Sequence, residues 1–121
     1  MATRKITSTN FQNHQHLETC PVTRSINLIG GRWKTTLLWG LMQGITQYSE
    51  LRRAIPNITE KMLTQQLRDL QRDGLITKEV HSDAPHKTSY HLTELGRSAK
   101  PIMLALQDWG NGLQPVRSEA V

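Results

Sequence analysis

The chain has 121 residues, enough for one ordinary core and short for two. Its apolar fraction of 36% is scattered over short segments, with no run approaching the ~18 residues of a membrane span, and its single cysteine, Cys20, excludes an intramolecular disulfide framework or a zinc site built on two thiolates. The net charge of +5 favours an acidic partner, nucleic acid being the commonest, but the excess is N-terminal: residues 1 to 34 hold five basic side chains against Glu18, residues 48 to 91 seven against six acids.

Residues 1–16 are polar and lack a sustained apolar period, which predicts a flexible arm. No apolar stretch follows Arg4-Lys5, so no export signal is expected and the default address is the cytoplasm. Val22, Ile26 and Ile29 share a helical face from Pro21 onward, closed by Gly30-Gly31. Trp33, Leu37, Leu38 and Leu41 mark a second helix ending at Gly44. The segment 45–48 reads as a short strand or a turn, and Leu51, Ala54 and Ile55 as a brief third helix stopped by Pro56. Thr59 or Asn57 can cap a fourth helix, with Glu60 at its positive end and Leu63, Leu67 and Leu70 as its apolar stripe up to Gly74. Residues 75–80 and 88–92 read as a hairpin joined by a polar tip. Thr93 then caps a long helix whose Leu95, Ala99, Ile102, Leu106, Trp109 and Leu113 form a heptad seam that wants a partner, with Pro101 kinking it or marking a restart. The expected division is an arm at 1–16, one domain at 17–114 and a tail at 115–121.

The expected fold is mainly α with a small β-hairpin: two helices across a tight turn followed by a hairpin, the winged form of the helix-turn-helix. The side of the fourth helix opposite its leucines carries Lys61, Thr64, Gln65, Arg68 and Arg72 in one row free of acids, with Asp69 and Asp73 to one side. Such a row sorts a nearly neutral segment into a cationic stripe. Thr64, Gln65 and Arg68 have the donors and acceptors to read base edges in a major groove, and Lys61 is placed for phosphate. Thr59, Arg52, Arg53 and Arg32 are candidate backbone contacts, and His86 and Lys87 at the hairpin tip a candidate second contact.

Several ordered motifs together carry a family resemblance: Cys20-Pro21-Val22, Gly31-Arg32-Trp33-Lys34, residues 50–56 from Glu50 to Pro56, residues 61–70 from Lys61 to Leu70, Asp73-Gly74-Leu75-Ile76, and residues 90–96 from Tyr90 to Gly96. Over residues 18 to 113 the chain resembles the HxlR-type bacterial regulators, relatives of the MarR group. The resemblance implies a dimeric winged helix joined through its first and last helices, with Val22, Ile26, Ile102, Leu106, Trp109 and Leu113 at the interface. It implies the helix at 61–70 entering the major groove of double-stranded DNA. The expected function is regulation of transcription by a homodimer on a pseudo-palindromic operator, as a repressor or, alternatively, an activator. The resemblance also implies that some members respond to oxidants or electrophiles through the cysteine before the proline, here Cys20.

Cys20 stands at a helix N-terminus with Arg24 one turn on, a setting that lowers a thiol's pKa. It reads either as a sensor of an oxidant or other small effector or as an inert, partly buried thiol. The five histidines give no compelling ligand set, so no metal and no cofactor is expected. Without a nucleophile elbow, phosphate loop or paired carboxylates, no enzymatic activity is expected either. Trp33, Trp109, Tyr48 and Tyr90 read first as core, with an effector pocket between dimer helices as the alternative. The competing function is a winged helix that binds protein and no operator; its outer face would be acidic or apolar.

Overall fold

The computed structural model describes residues 17–81 and 87–115. A short 3-10 turn, Leu17–Thr19, leads into α1, Pro21–Ile29, whose first position is the proline that needs no donor there. Helix α2 spans Arg32–Met42, α3 Tyr48–Ala54 and α4 Glu60–Arg72. The hairpin pairs β1, Ile76–Val80, with β2, Thr88–Leu92, antiparallel from Ile76 opposite Leu92 to Val80 opposite Thr88. The chain then forms α5, Glu94–Arg97, and α6, Lys100–Asn111.

Two helices end by the same device. At Gly44 and Gly74 the backbone takes φ of 91° and 80°, where an L side chain is strained. Leu75 N–H then reaches back to the carbonyl of Leu70 at 3.0 Å and Ile45 N–H to that of Gly40 at 3.0 Å, so carbonyls orphaned by the helix end are satisfied. Thr59 is the cap of α4, its Oγ1 accepting from Met62 N–H at 3.0 Å.

The core is a leucine cluster drawn from every layer: Leu37, Leu38 and Leu41 of α2, Leu51 of α3, Leu63, Leu67 and Leu70 of α4, with Leu75, Ile76, Tyr90 and Met103 closing it. Burial of each such side chain contributes about 1.5–3 kcal/mol. Because α4 places only that one stripe in the core, its other side must face water.

Segment 45–48 resolves into half of each expectation. Gln47 makes a single antiparallel bridge to Ser89, Tyr90 N–H donates to the Thr46 carbonyl at 2.9 Å, and α3 begins at once with Tyr48. The base of the hairpin is therefore tied to the start of α3.

The long helix expected after Thr93 is two helices. Thr93 caps α5, its Oγ1 accepting from Gly96 N–H at 3.1 Å and donating to the Gly74 carbonyl at 2.6 Å. The chain turns at Ser98 and Ala99, and α6 restarts with Pro101 in its first turn. Pro101 has no N–H for the Arg97 carbonyl, which is why a helix through this point has to restart. Gly96 is required here for a different reason: a Cβ on it would lie 2.2 Å from the Leu75 carbonyl oxygen. Only glycine lets α5 sit directly on the chain entering β1.

Candidate nucleic-acid interface

Helix α4 separates its faces cleanly. Leu63, Leu67 and Leu70 are no more than 1% exposed, whereas Lys61, Gln65, Arg68 and Arg72 are exposed and Thr64 is half-buried. Lys61, Thr64, Gln65 and Arg68 line one open cleft of about 470 Å³ together with Glu60. A second open cleft, of about 400 Å³, is lined by Tyr48, Ser49, Arg52 and Arg53 of α3.

The row along α4 touches more acid than its spacing implies. Gln65 Nε2 donates to Asp69 Oδ1 at 3.0 Å, and Arg72 binds the same oxygen at 3.2 Å and Asp73 Oδ1 at 3.4 Å. Asp69 thus holds Gln65 from one side and Arg72 from the other. Lys61 and Arg68 make no ion pair among the described residues, and they carry the accessible charge of the row. Arg52 approaches Glu60 at 3.9 Å with both side chains exposed, a contact worth about 0–1 kcal/mol and easily exchanged for phosphate.

The remaining candidates are spread around this centre. Arg53 is exposed on α3 and Lys87 is exposed just before β2, while His86 lies outside the described residues. The Arg32 guanidinium stands 4.4 Å over the ring of Trp33, so its charge is held against an aromatic face at the start of α2.

Sequence spacing missed Tyr48. From the first turn of α3 its hydroxyl lies 3.3 Å from Thr64 Oγ1, joining the two clefts. Tyr90, packed beside it from β2, has its phenol pushed up by burial, raised further by Tyr48 and partly offset by Arg68. Three elements, α3, α4 and β2, therefore meet at Tyr48, Thr64, Arg68 and Tyr90. The signal was an aromatic read as core or effector-pocket lining and not as part of the reading face: Tyr48 is half-buried, with its polar end placed to bond.

The HxlR-like helix-turn-helix family profile matches residues 28–117. The chain belongs to the HxlR family. It is 47% identical over 93 residues to the HTH-type transcriptional regulator YdeP of Bacillus subtilis, covering 77% of this chain and 73% of YdeP. Among solved structures it is similar to the redox regulator HypR in its oxidized form, with a TM-score of 0.74, 42% identity, and 80% and 100% of the two chains covered. It is also similar to the reduced form of the regulator YodB from B. subtilis, with a TM-score of 0.66, 30% identity, and 81% and 98% covered. These are winged-helix transcription regulators, a class without enzymatic chemistry, and the clefts described above lie on the helices that give the fold its name.

In this HxlR regulator Cys20 is the N-cap of α1, half-buried, with its sulfur 3.5 Å from Thr23 N–H and 3.4 Å from Thr23 Oγ1. Those two hydrogen bonds hold the thiol below its usual pKa, aided by the Val22 amide and the charge of Arg24 against a smaller opposing effect of burial. Hydrogen bonds to the charged form favour it, so more of Cys20 is thiolate at neutral pH than in an unstructured peptide. Alkylation by iodoacetamide is expected to reach half its maximal rate at a lower pH than for free cysteine. Thr23→Val, which keeps shape and removes the hydroxyl, is expected to move that midpoint upward. An unchanged midpoint would show that the Thr23 hydroxyl is not what lowers it.

His81 Nε2 and His91 Nε2 both approach Ser89 Oγ, at 3.3 and 3.2 Å, and His91 is also 3.2 Å from Glu79. Among the described residues no group of three or more His, Cys, Asp or Glu side chains is placed to hold a metal ion, and no helix is long and apolar enough to cross a membrane.

The expected interface residues are all exposed on the single chain: Val22 72%, Ile26 58%, Ile102 45%, Leu106 42%, Trp109 68% and Leu113 52%. Trp109 is therefore not core, correcting its first reading; Tyr90 is buried, and Trp33 and Tyr48 are half-buried. Its position in α6, beyond the reach of the leucine cluster, is the reason. Between α1 and the α5–α6 junction lies a crevice of only about 100 Å³, below the ~300 Å³ at which small-molecule sites begin.

Proposed function

We propose that this HxlR regulator binds double-stranded DNA as a homodimer, reads a pseudo-palindromic operator through α4, and represses transcription in the cytoplasm. The observation that carries this reading is the outer face of α4, where Lys61, Gln65 and Arg68 are exposed side by side while the opposite stripe is locked in the core. A helix fixed on one side and basic and polar on the other is what a major groove admits. A protein-docking winged helix would present an acidic or apolar face there.

The unit that binds is residues 17–114. Lys61, Arg52, Arg53, Arg32 and Lys87 contact phosphates, Thr59 Oγ1 remains the cap of α4, and Thr64, Gln65 and Arg68 face base edges. Arg72, tied to Asp69 and Asp73, supports the row from its end. Two recognition helices related by a two-fold axis read half-sites roughly 34–36 Å apart. Cys20 is the sensing thiol, its oxidation or alkylation changing operator affinity, in keeping with the naming of HypR as a redox regulator.

Selection of bound duplexes from genomic fragments by the full chain, with and without an oxidant, tests operator and sensor together. Arg68→Ala is expected to weaken the selected site by about 1–3 kcal/mol and relax base choice at one position in each half-site. Lys61→Ala is expected to weaken all duplexes alike and flatten the salt dependence by about one unit. No loss with Arg68→Ala would remove α4 as the reading element. An oxidant effect that persists in Cys20→Ser would remove Cys20 as the sensor.

A further inference from the structure

Helix α3 turns more donors toward its cleft than the two arginines already assigned to phosphates. Leu51 and Ile55 hold one side of this element in the core, at 1% and 9% exposed. The other side is an arc of Arg52, Ser49 and Arg53, all exposed. The arginines stand three and four residues after Ser49, the spacings that set its side chain between theirs one turn away. With Tyr48 these three line the open cleft of about 400 Å³, and among the described residues no acid lines it. Glu50 falls beyond Arg53 around the helix.

The Ser49 hydroxyl is available where other helical hydroxyls are spent. Ser25 in α1 and Thr36 in α2 donate to the carbonyls of Pro21 and Arg32, one turn earlier, at 2.8 and 2.7 Å. Ser49 lies in the first turn of α3, with no helical carbonyl one turn behind it, and its side chain has no hydrogen-bond partner among the described residues. Arg53 makes no ion pair among them either, and Arg52 only the exposed approach to Glu60 at 3.9 Å. A guanidinium donates and never accepts, so the groups around the Ser49 hydroxyl call for an acceptor that is also an anion. A phosphodiester, with its negative charge and acceptor oxygens, satisfies all three side chains at once. Tyr48 fixes where such a group sits, since its hydroxyl is 3.3 Å from Thr64 Oγ1 of the cleft on α4.

We propose that the cleft on α3 is a seat for a single DNA backbone phosphate, and that Ser49 is a binding residue in it, donating its hydroxyl proton to the phosphate held between Arg52 and Arg53. Contacts of this kind set the register of a protein on the duplex and carry no sequence information. The phosphate lies beside the bases that α4 reads, because the two clefts meet at Tyr48 and Thr64. The inference rests on the DNA-reading assignment above and adds to it Ser49 and the sharing of one phosphate by three side chains.

The test uses the full chain as wild type, Ser49→Ala, Ser49→Thr and Arg53→Ala, each titrated with the selected duplex and with an unrelated one over a range of salt. Ser49→Ala is expected to weaken both duplexes about ten-fold, roughly three-fold from the hydrogen bond lost in each subunit. Base preference, salt dependence and melting temperature should stay as in wild type, because an uncharged, exposed group has been removed. Ser49→Thr keeps the hydroxyl and should bind as wild type does. Arg53→Ala should flatten the salt dependence by about one unit from each subunit. Duplexes carrying a neutral methylphosphonate in place of one phosphate in each half-site then locate the seat. At one position, the same for both variants, Ser49→Ala and Arg53→Ala should no longer cost affinity. A Ser49→Ala without effect, a loss confined to one base pair, a Ser49→Thr as weak as Ser49→Ala, or the lack of any position that silences both variants each overturns the proposal. The DNA-reading assignment itself falls separately, if wild type fails to distinguish the selected from the unrelated duplex.

Discussion

Leu106→Glu combined with Trp109→Glu is expected to leave a folded monomer that has lost operator binding by at least about 100-fold, the gain that linking two weak sites ordinarily confers. Neither side chain belongs to the core: Leu106 is 42% and Trp109 68% exposed on the single chain. Their replacement removes no contact from the leucine cluster, so helical circular dichroism should be preserved. What they share is a face. Ile102, Leu106 and Trp109 along the last helix, Leu113 just past its end, and Val22 and Ile26 on α1 all leave apolar surface in water, and large apolar patches left exposed mark interaction sites. A second copy is the natural cover, because the same patch then serves both chains. Two buried glutamates on each side of a two-fold interface cost far more than the apolar area they replace contributes. In sedimentation the wild-type chain should run at twice 13.8 kDa and the variant at that mass itself. A wild type already running as a monomer, or a variant still running as a dimer, would place the interface elsewhere.

The elements most legible in the sequence were those whose boundaries are made by local chemistry. Pro21 at a first helical position, Gly44 and Gly74 past helix ends, and the Thr59 cap each act within a turn of where they stand, and each does in the fold what its type implies. Pro101 was legible as an interruption, but whether a chain bends or restarts depends on what lies beneath it. Here Gly96 settles α5 against the Leu75 backbone, a contact twenty-one residues away that no periodicity reveals. The candidate site divides the same way. One helical face predicts itself, so Lys61, Gln65 and Arg68 were visible from spacing. The bond from Tyr48 to Thr64 crosses between helices and was not. Asp69 was visible as a neighbour of the row and invisible as a clamp, since spacing gives a direction from the axis and not the reach of a side chain. Trp109 drew two readings, core and partner-facing seam, and only the first failed, for a related reason: an apolar position on a helix announces that it wants cover, without saying whether that cover comes from its own chain.

Leu67→Ala is expected to cost about 2–5 kcal/mol of stability, a large part of the 5–15 kcal/mol that holds a domain of this size together. Leu67 is 1% exposed and stands in the middle of the α4 stripe, with Leu63 and Leu70 at 0% on either side and Leu37 and Leu38 of α2, also at 0%, in the same cluster. A cavity there has no loop or surface chain to collapse into it, which puts the cost in the upper half of that range. At about 4–8 °C for each kcal/mol the melting temperature should drop by roughly 10 °C or more. Leu67→Met, which keeps the volume, should cost less than about 1.5 kcal/mol and separates a lost cavity wall from general intolerance at the site. The adjacent residue gives the sharper comparison. Arg68 is one step along the same helix and on the opposite side, so Arg68→Ala should leave the melting temperature nearly unchanged while weakening the operator. At a temperature where Leu67→Ala is still folded, its operator affinity should stay close to wild type. Adjacent substitutions with exchanged consequences follow from α4 being held by one face and reading with the other. If both positions moved stability and DNA affinity together, α4 would not be the independently anchored reading helix that its burial pattern describes.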